Sequence, residues 1–228
     1  MRGLRNSVLV ALVWRYACHG VMLLLSLSTE GRPAPSLPDT VLDRLPRLAG
    51  LERWNYLIWL ACYLPPALFL WRRDRRAFLH FLYLGGVVSV VRGLCVGLTG
   101  LGPVFGADVN VGLRGAALVH AWLTLLNPLR SLFGDAAHVY LTKDLFFSGH
   151  VSTTFLLWLY CRGRGRLGAV ALAGHLATVA VVFLTHLHYT IDVVGAWAIT
   201  YSLFVLAERR WPLAPAPYGT SNEGGSLR

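Results

Sequence analysis

Residues 167–185 read LGAVALAGHLATVAVVFLT, and residues 186–192, which follow directly, read HLHYTID. The first run holds no Asp, Glu, Lys or Arg, and its length is close to the about 20 apolar residues that cross a bilayer. The second run places His188 and Asp192 at the end of the apolar run. Ionisable groups at membrane depth are costly, so they indicate a functional site by default. These residues predict a membrane-spanning helix with a site beside it.

The composition of the whole chain is that of a membrane protein. Of its 228 residues, 55% are hydrophobic and 14% are charged, and the mean hydropathy is +0.54. Such values exclude an ordinary soluble domain of this size. We expect one compact membrane domain over residues 1–211, without a soluble catalytic module. Residues 212–228, which contain Pro, Gly, Ser and Asn, are predicted to form a disordered cytoplasmic tail.

Six segments are apolar enough to be predicted as spans. They are Ser7–Leu27, Trp54–Trp71, Ala77–Leu98, Leu145–Cys161, Leu167–Thr185 and Tyr189–Leu206. A seventh stretch, Ala116–Leu126, is too short to cross, and its length fits an interfacial or re-entrant helix between the third and fourth spans. The predicted fold is therefore all-α, a polytopic membrane protein with six transmembrane helices in one bundle.

The positive charge of the chain predicts its orientation. The net charge is +10, and of the 21 basic residues all but Lys143 are arginines. In a six-span chain the arginine clusters all fall on one side, and the positive-inside rule then places both termini in the cytoplasm. This distribution explains the charge without a nucleic-acid partner. The clusters are Arg2 and Arg5, Arg72 to Arg76, Arg162 to Arg166, and Arg209 with Arg210.

The N-terminus and the cysteines each allow a second interpretation. The start of the chain resembles a cleavable signal peptide, but Arg15 interrupts the apolar run and no small-x-small cleavage site follows, so a retained first span is favoured. The four cysteines lie in or at the ends of spans without a CxxC or Cys/His spacing. They are predicted to be buried free thiols, and neither a metal nor another cofactor is expected.

A second segment, Asp144-Leu-Phe-Phe-Ser-Gly-His150, brings another histidine to the same depth. If the fourth span begins near Asp144, His150 lies about 9 Å along it. His188 is predicted in the first turn of the sixth span, and Arg92 lies about 22 Å along a span that starts inside. The predicted site therefore lies in the exoplasmic leaflet, on the periplasmic or lumenal side.

The spacing of these groups predicts phosphate chemistry. His188 and Asp192 are four positions apart and share a helix face, so the carboxylate can fix the imidazole tautomer and leave the other nitrogen free to attack phosphorus. His150 is predicted to protonate the departing alcohol and then to activate the second nucleophile. Arg92 could hold a phosphate through its planar guanidinium.

Other polar residues receive either supporting or purely structural interpretations. Gly149 allows close backbone approach, and Ser148 offers a hydroxyl and an amide. Asp144 is predicted as a helix N-cap or first-turn charge, and His186 as an outer-rim contact. The remaining histidines and Arg15 are predicted to be packing residues. These histidines are His19, His80, His120, His138 and His175.

The two polar segments resemble motifs of the sphingomyelin synthase family, a branch of the type-2 phosphatidic acid phosphatase superfamily. Asp144–His150 resembles the third motif of the family, Asp-aromatic-Leu-Phe/Tyr-Ser-Gly-His. The segment from His186 to Trp197 resembles the fourth, His-x-His-Tyr-Thr-x-Asp-Val-x-x-Ala-aromatic. Leu37-Pro38-Asp39 is similar to the first motif, and residues 83–103, with Arg92, loosely match the second.

The resemblance implies six spans and an active site that faces the exoplasmic leaflet. Its catalytic triad would fall on His150, His188 and Asp192. The motif positions Asp144, Ser148, Gly149 and Tyr189, together with Arg92, form the predicted substrate-binding set. The implied reaction moves phosphocholine or phosphoethanolamine from a glycerophospholipid to a ceramide-like lipid, without a cofactor. The chain departs from phosphatase relatives, since it lacks their Lys-(x)6-Arg-Pro motif and has Val182 where they have Arg.

Two alternatives to the transferase stay open at this point. Attack by His188 would give a phosphohistidine-type intermediate, and capture of this intermediate by water would make the protein a lipid phosphatase or a hydrolase of the phospholipase C type. A lipid-binding membrane protein without catalysis is the second alternative, and the intact His/His/Asp set argues against it. A pore or transporter fits less well, because the charges lie at one depth rather than along a path. Association into a homo-oligomer is also left open.

Overall fold

The computed structural model describes residues 7–127 and 140–213. Within these ranges the chain is helical and contains no β-strand. The helices are α1 (Val8–Glu30), α2 (Ala49–Glu52), α3 (Asn55–Arg73), α4 (Arg75–Leu98), α5 (Gly115–Leu126), α6 (Gly149–Cys161), α7 (Arg166–Leu184) and α8 (Thr190–Arg210). A short 3-10 turn at Leu42–Arg44 lies in the first long loop. Most of the predicted tail, and His138, lie outside the described residues.

Four of the predicted spans form helices that are long and apolar enough to cross a membrane. They are α1, α4, α7 and α8, and they indicate an integral membrane protein. The number six is not confirmed. Helix α3 has the length but not the apolar character of the other four, and it contains Pro65 and Pro66. Helix α6 has only 13 residues, which rise about 20 Å against a hydrocarbon core of about 30 Å.

The predicted fourth span, Leu145–Cys161, is corrected by the structure. Its helix begins at Gly149, and residues 141–148 are not helical. The side chain of Ser148 caps the helix by accepting a hydrogen bond from the Val151 N–H at 3.4 Å. Asp144 is therefore neither an N-cap nor a first-turn residue. His150 lies in the first turn of α6 rather than about 9 Å along a helix.

Helix α6 lies at the centre of the bundle. It contacts α3, α4, α7 and α8, and Leu156, Leu157 and Tyr160 are almost completely buried against them. Helix α4 contacts α1 on its other side. The helix that carries His150 is thus held by four neighbours, although it is the shortest of the six predicted spans.

The short helix predicted between the third and fourth spans is present as α5. It packs against α1 through Ala121 and Leu125, which contact Leu23 and Leu27. The structure shows that this helix forms, whereas its position at the membrane interface stays a prediction.

Arginines from two of the clusters, Arg72 to Arg76 and Arg162 to Arg166, meet at one end of the bundle. Arg72 and Arg73 end α3, Arg75 begins α4, and Arg164 lies in the turn between α6 and α7. The Arg164 guanidinium contacts the Asp74 carboxylate at 2.6 Å across this end. The segments with His150 and His188 lie at the opposite ends of their helices, so these arginines and the site are separated along the bundle.

Candidate active site

Asp192 joins the two histidine segments. Its side chain is fully buried. One carboxylate oxygen, Oδ2, lies 3.1 Å from His188 Nδ1 and accepts a hydrogen bond from the Tyr189 N–H at 3.1 Å. The other, Oδ1, accepts one from the Phe146 N–H at 3.1 Å. The Asp192 carbonyl oxygen accepts a further bond from the Ser148 N–H at 3.1 Å.

The contact predicted between His188 and Asp192 is confirmed, but it arises in a different way. Helix α8 begins at Thr190, with Tyr189 as its N-cap, so His188 precedes the helix instead of occupying its first turn. Asp192 lies in the first turn, where a carboxylate is favourable beside the exposed N–H groups. It reaches back to the residues before the helix, and this brings the imidazole and the carboxylate together.

Two glycines allow the His150 segment to lie against α4 and α8. A Cβ added at Gly149 would lie 3.2 Å from Nε of Arg92, and one added at Gly195 would lie 2.9 Å from Cε2 of Phe146. Both positions therefore favour glycine for space, as predicted for Gly149. The Ser148 side chain is fully buried and its N–H and hydroxyl both have partners in the protein. Its predicted contact with substrate stays a prediction.

Arg92 lies buried beneath the 144–149 segment, and its guanidinium forms hydrogen bonds with that segment. Its Nε donates to the Phe147 carbonyl oxygen at 2.6 Å, and Nη2 donates to the Asp144 carbonyl oxygen at 3.0 Å. Nη2 also contacts the Asp144 carboxylate at 2.8 Å, while Nη1 lies 3.1 Å from Sδ of Met22. The residue predicted to hold a phosphate thus supports the segment that carries His150.

Asp144 completes this buried ion pair. Its carboxylate also accepts a hydrogen bond from the Ser26 hydroxyl at 2.7 Å. Burial raises the pKa of Asp144, but the charge and hydrogen bond of Arg92 and the bond from Ser26 lower it more, so the pKa lies below its ordinary value. Asp144 is therefore the ionised partner of the Arg92 guanidinium.

Glu30 ties the loops around the site to the end of α1. It is completely buried and accepts hydrogen bonds from the Lys143 N–H at 2.7 Å, the Thr142 hydroxyl at 2.9 Å and the Asn110 amide at 3.2 Å. Lys143 Nζ in turn pairs with Asp108 at 2.7 Å. The segment that leads to His150 is thus fixed at its start by this cluster and at its end by Asp192.

Tyr189 connects the site to the two long loops. Its hydroxyl donates to the carbonyl oxygens of Gly102 and Pro103, at 3.1 and 3.2 Å, and accepts from the Leu37 N–H at 2.9 Å. The side chain is almost completely buried. The predicted substrate-binding residue Tyr189 is therefore placed beside His188 with its hydroxyl directed to loop backbone.

Asp39, from the segment that resembles the first motif, caps helix α8. Its carboxylate accepts hydrogen bonds from the Thr190 N–H at 2.6 Å and from the Thr190 hydroxyl at 2.9 Å. Burial raises the pKa of Asp39, but these bonds and that from the Leu42 N–H lower it more, to below its ordinary value. The first loop thereby fixes the start of the helix that carries Asp192.

A cavity of about 270 Å³ lies on the loop side of Tyr189. Leu37, Asp39 and His186 are among the residues that line it. The candidate triad does not contribute to its lining, although His186 and Tyr189 flank His188 in the chain. The predicted outer-rim residue His186 therefore faces this cavity.

Two of the histidines predicted to be packing residues have hydrogen-bond partners in the bundle. His175 Nδ1 lies 3.0 Å from the Thr154 hydroxyl, and its Nε2 accepts a bond from the Trp197 indole N–H at 3.0 Å. His80 contacts the Tyr160 hydroxyl at the arginine-rich end. The prediction is confirmed for these two residues, which lie away from the segments joined by Asp192.

Sequence reasoning missed two residues that hold the site, Glu30 beside Lys143 and Ser26 beside Asp144. The only available signal was an acidic residue, Glu30, placed directly after an apolar run of span length. Asp39 had a stronger signal, since it lies in the segment similar to the first motif.

The geometry supports nucleophilic chemistry at His188. An ionised Asp192 can only accept hydrogen bonds, so Nδ1 of His188 carries the proton and Nε2 carries the lone pair. The other carboxylate contacts hold Asp192 in place. His150 begins the neighbouring helix, two residues after the Ser148 N–H that bonds Asp192. Both imidazoles therefore belong to one assembly of hydrogen-bonded segments.

A comparison with known families gives a match that covers both histidine segments. Residues 143–209 match the family described as PAP2 superfamily C-terminal. The matched range contains α6, α7 and α8 and both histidine segments. The match supports the phosphatidic acid phosphatase type 2 superfamily, and with it a lipid phosphatase or phosphotransferase type of activity. Comparison with curated proteins gives no match.

Proposed function

We propose that this protein is a membrane lipid phosphotransferase. It moves a phosphocholine or phosphoethanolamine head group from a glycerophospholipid to a ceramide-like alcohol. The observation that carries the proposal is the buried Asp192 carboxylate, which contacts His188 Nδ1 at 3.1 Å and also binds the segment that leads to His150. The superfamily match at residues 143–209 supports the general class of reaction.

The first half of the reaction forms a phosphohistidine. Nε2 of His188 attacks the phosphorus of the donor, and the bond between phosphorus and the diacylglycerol oxygen breaks. His150, as an imidazolium, gives its proton to that oxygen, so diacylglycerol leaves as a neutral alcohol. Asp192 stabilises the positive charge that develops on the His188 ring.

The second half regenerates the protein. His150, now neutral, takes the proton from the primary hydroxyl of the acceptor, whose oxygen attacks phosphorus. The bond between phosphorus and Nε2 breaks, the new phosphodiester leaves, and His150 again carries a proton. The proposed steps use two lipids and protein side chains. If water replaces the acceptor, the same steps give a hydrolase.

The surroundings of the site favour transfer over simple phosphatidate hydrolysis. Phosphatase relatives carry a basic residue where this chain has Val182, and Val182 is completely buried in the core. The buried guanidinium of Arg92 is paired with Asp144. We propose a sphingomyelin synthase-like activity because residues 144–150 and 186–197 resemble two motifs of that family.

Lipid analysis of the purified protein in vesicles tests the proposal. The vesicles contain phosphatidylcholine and phosphatidylethanolamine, with or without ceramide. We expect a new phosphosphingolipid and an equal amount of diacylglycerol only when ceramide is present. Diacylglycerol with free phosphoryl-alcohol in both samples would instead identify a hydrolase. Unchanged lipids would leave a lipid-binding role and contradict the proposed activity.

The proposed leaflet has its own test. We expect the arginine-rich end to face the cytoplasm, because positively charged loops stay on that side. A protease-cleavable tag inserted at Gly106, in the second long loop, should then be cut by added protease in intact cells or in sealed right-side-out vesicles. A tag after Arg228 should be cut only after permeabilisation. The reversed pattern would place the site on the cytoplasmic side.

A further inference from the structure

The ring of His150 lies against a wall of aromatic side chains on helix α3. Its centroid is 5.4 Å from that of Trp59, and the two ring planes are at 89°. This edge-to-face arrangement is the favourable one for aromatic pairs. It is one of the contacts between α6, which carries His150 in its first turn, and α3.

Trp59 is itself held by two neighbours on its own helix. The Tyr63 ring stacks on it at 5.1 Å, with an angle of 9° between the planes, and the Tyr56 ring lies 5.4 Å away on a tilted plane. The three residues follow one another at helical spacing, so they form one face of α3. We call Tyr56, Trp59 and Tyr63 the aromatic wall. Tyr63 also contacts Phe81 of α4 at 6.1 Å, which anchors the wall to the core.

A histidine at the start of a helix needs such support if its ring is to hold one orientation. The second side-chain torsion of histidine has broad minima, so the ring turns easily about it. In the proposed reaction His150 must direct one nitrogen first to the leaving oxygen and then to the acceptor hydroxyl, within hydrogen-bond distance. Asp192 performs this task for His188.

We infer that Trp59 is a positioning residue that orients the His150 imidazole for proton transfer. The inference rests on the proposed function for its catalytic consequence, whereas the orientation of the ring is independent of it. The perpendicular indole fixes the ring plane of His150, and Tyr56 and Tyr63 fix the indole. Proton transfer is the step that this geometry controls, so turnover should depend on Trp59 more than lipid binding does.

Two substitutions at Trp59 and one elsewhere test the inference by kinetics. Trp59→Phe keeps an aromatic ring beside His150, and Trp59→Leu keeps apolar volume without one. We expect kcat to fall roughly tenfold in Trp59→Leu, with KM unchanged, and to stay within about threefold of the parent in Trp59→Phe. The matched control is Trp71→Leu, the same change at an exposed site of the same helix, where Phe78 is the one aromatic ring of residues 7–127 and 140–213 that the indole contacts. It should leave kcat unchanged.

A spectroscopic measurement separates this inference from the proposed function. The 13Cε1 resonance of His150, assigned by its loss in His150→Gln, should be single in the parent and in Trp59→Phe, and broadened or split in Trp59→Leu. A single sharp resonance in all three proteins would overturn the inference, whatever the kinetics. If His150→Gln keeps full turnover while the resonance splits as expected, the orienting role of Trp59 stands and the catalytic role proposed for His150 fails. Equal kcat in Trp59→Leu and Trp71→Leu, with His150→Gln inactive, would remove only the kinetic role of Trp59.

Discussion

Asp192→Asn is expected to lower turnover by about three to four orders of magnitude, although the fold is kept. The amide would present an N–H group where the carboxylate now accepts from His188 Nδ1, so the imidazole would be held in the wrong tautomer. One of the backbone N–H groups, of Phe146 or Tyr189, would also lose part of its acceptor. The measurement is the rate of head-group transfer in vesicles that contain the preferred donor and acceptor.

Two companion variants make this result specific. His188→Ala should abolish transfer, because it removes the nucleophile while Asp192 still accepts both backbone hydrogen bonds. Asp43→Asn, the same chemical change at an exposed carboxylate of the first loop, should leave the rate unchanged. Transfer that persists in His188→Ala at the parent rate would rule out the phosphohistidine route.

Arg92→Met is expected to give the largest loss of stability. The substitution leaves the Asp144 carboxylate, which is 17% exposed, without its charged partner. It also removes the donor to the Phe147 carbonyl oxygen. Breaking a buried ion pair from one side costs about 3–5 kcal/mol. Thermal unfolding of the detergent-solubilised protein should therefore shift to a clearly lower temperature.

The double variant Arg92→Met/Asp144→Leu provides the decisive comparison. It removes both charges, so it should recover part of the stability that Arg92→Met loses. Arg164→Met, at the partly exposed pair with Asp74 on the opposite end, is the matched control and should cost under about 1 kcal/mol. If Arg92→Met were as stable as the parent but inactive, Arg92 would be a substrate ligand rather than a support for residues 144–149.

The fold could be predicted from the sequence where hydrophobicity determines it. Helices α1, α4, α7 and α8 match predicted spans because a long apolar run in lipid must satisfy its own backbone hydrogen bonds, which a helix does. The correction at residues 145–148 has a different cause. Leu145, Phe146 and Phe147 are apolar, so they extend the predicted span, but their backbone is held by tertiary contacts. Phe146 donates to Asp192 and has a positive φ of 54°.

The candidate site could be predicted where the groups are close in sequence. His188 and Asp192 are four residues apart, and any tight local geometry brings them together. The residues that support them come from far along the chain, as Glu30 does for Lys143 and Asp39 does for Thr190. Such pairings depend on how helices and loops pack, which no periodicity in a single sequence encodes. The support that Arg92 gives to Asp144 was not predicted for the same reason, since the two residues are 52 positions apart.

The distant origin of these supports limits what a minimal fragment of the protein could do. Residues 143–209 contain His150, His188 and Asp192, but Glu30, Asp39 and Arg92 lie before them in the chain. An excised 143–209 polypeptide, or the same stretch grafted onto another scaffold, would keep every reactive group. It would lose the residues that hold these groups in position. Engineers who wish to transplant this chemistry would have to carry the first hundred residues along with it.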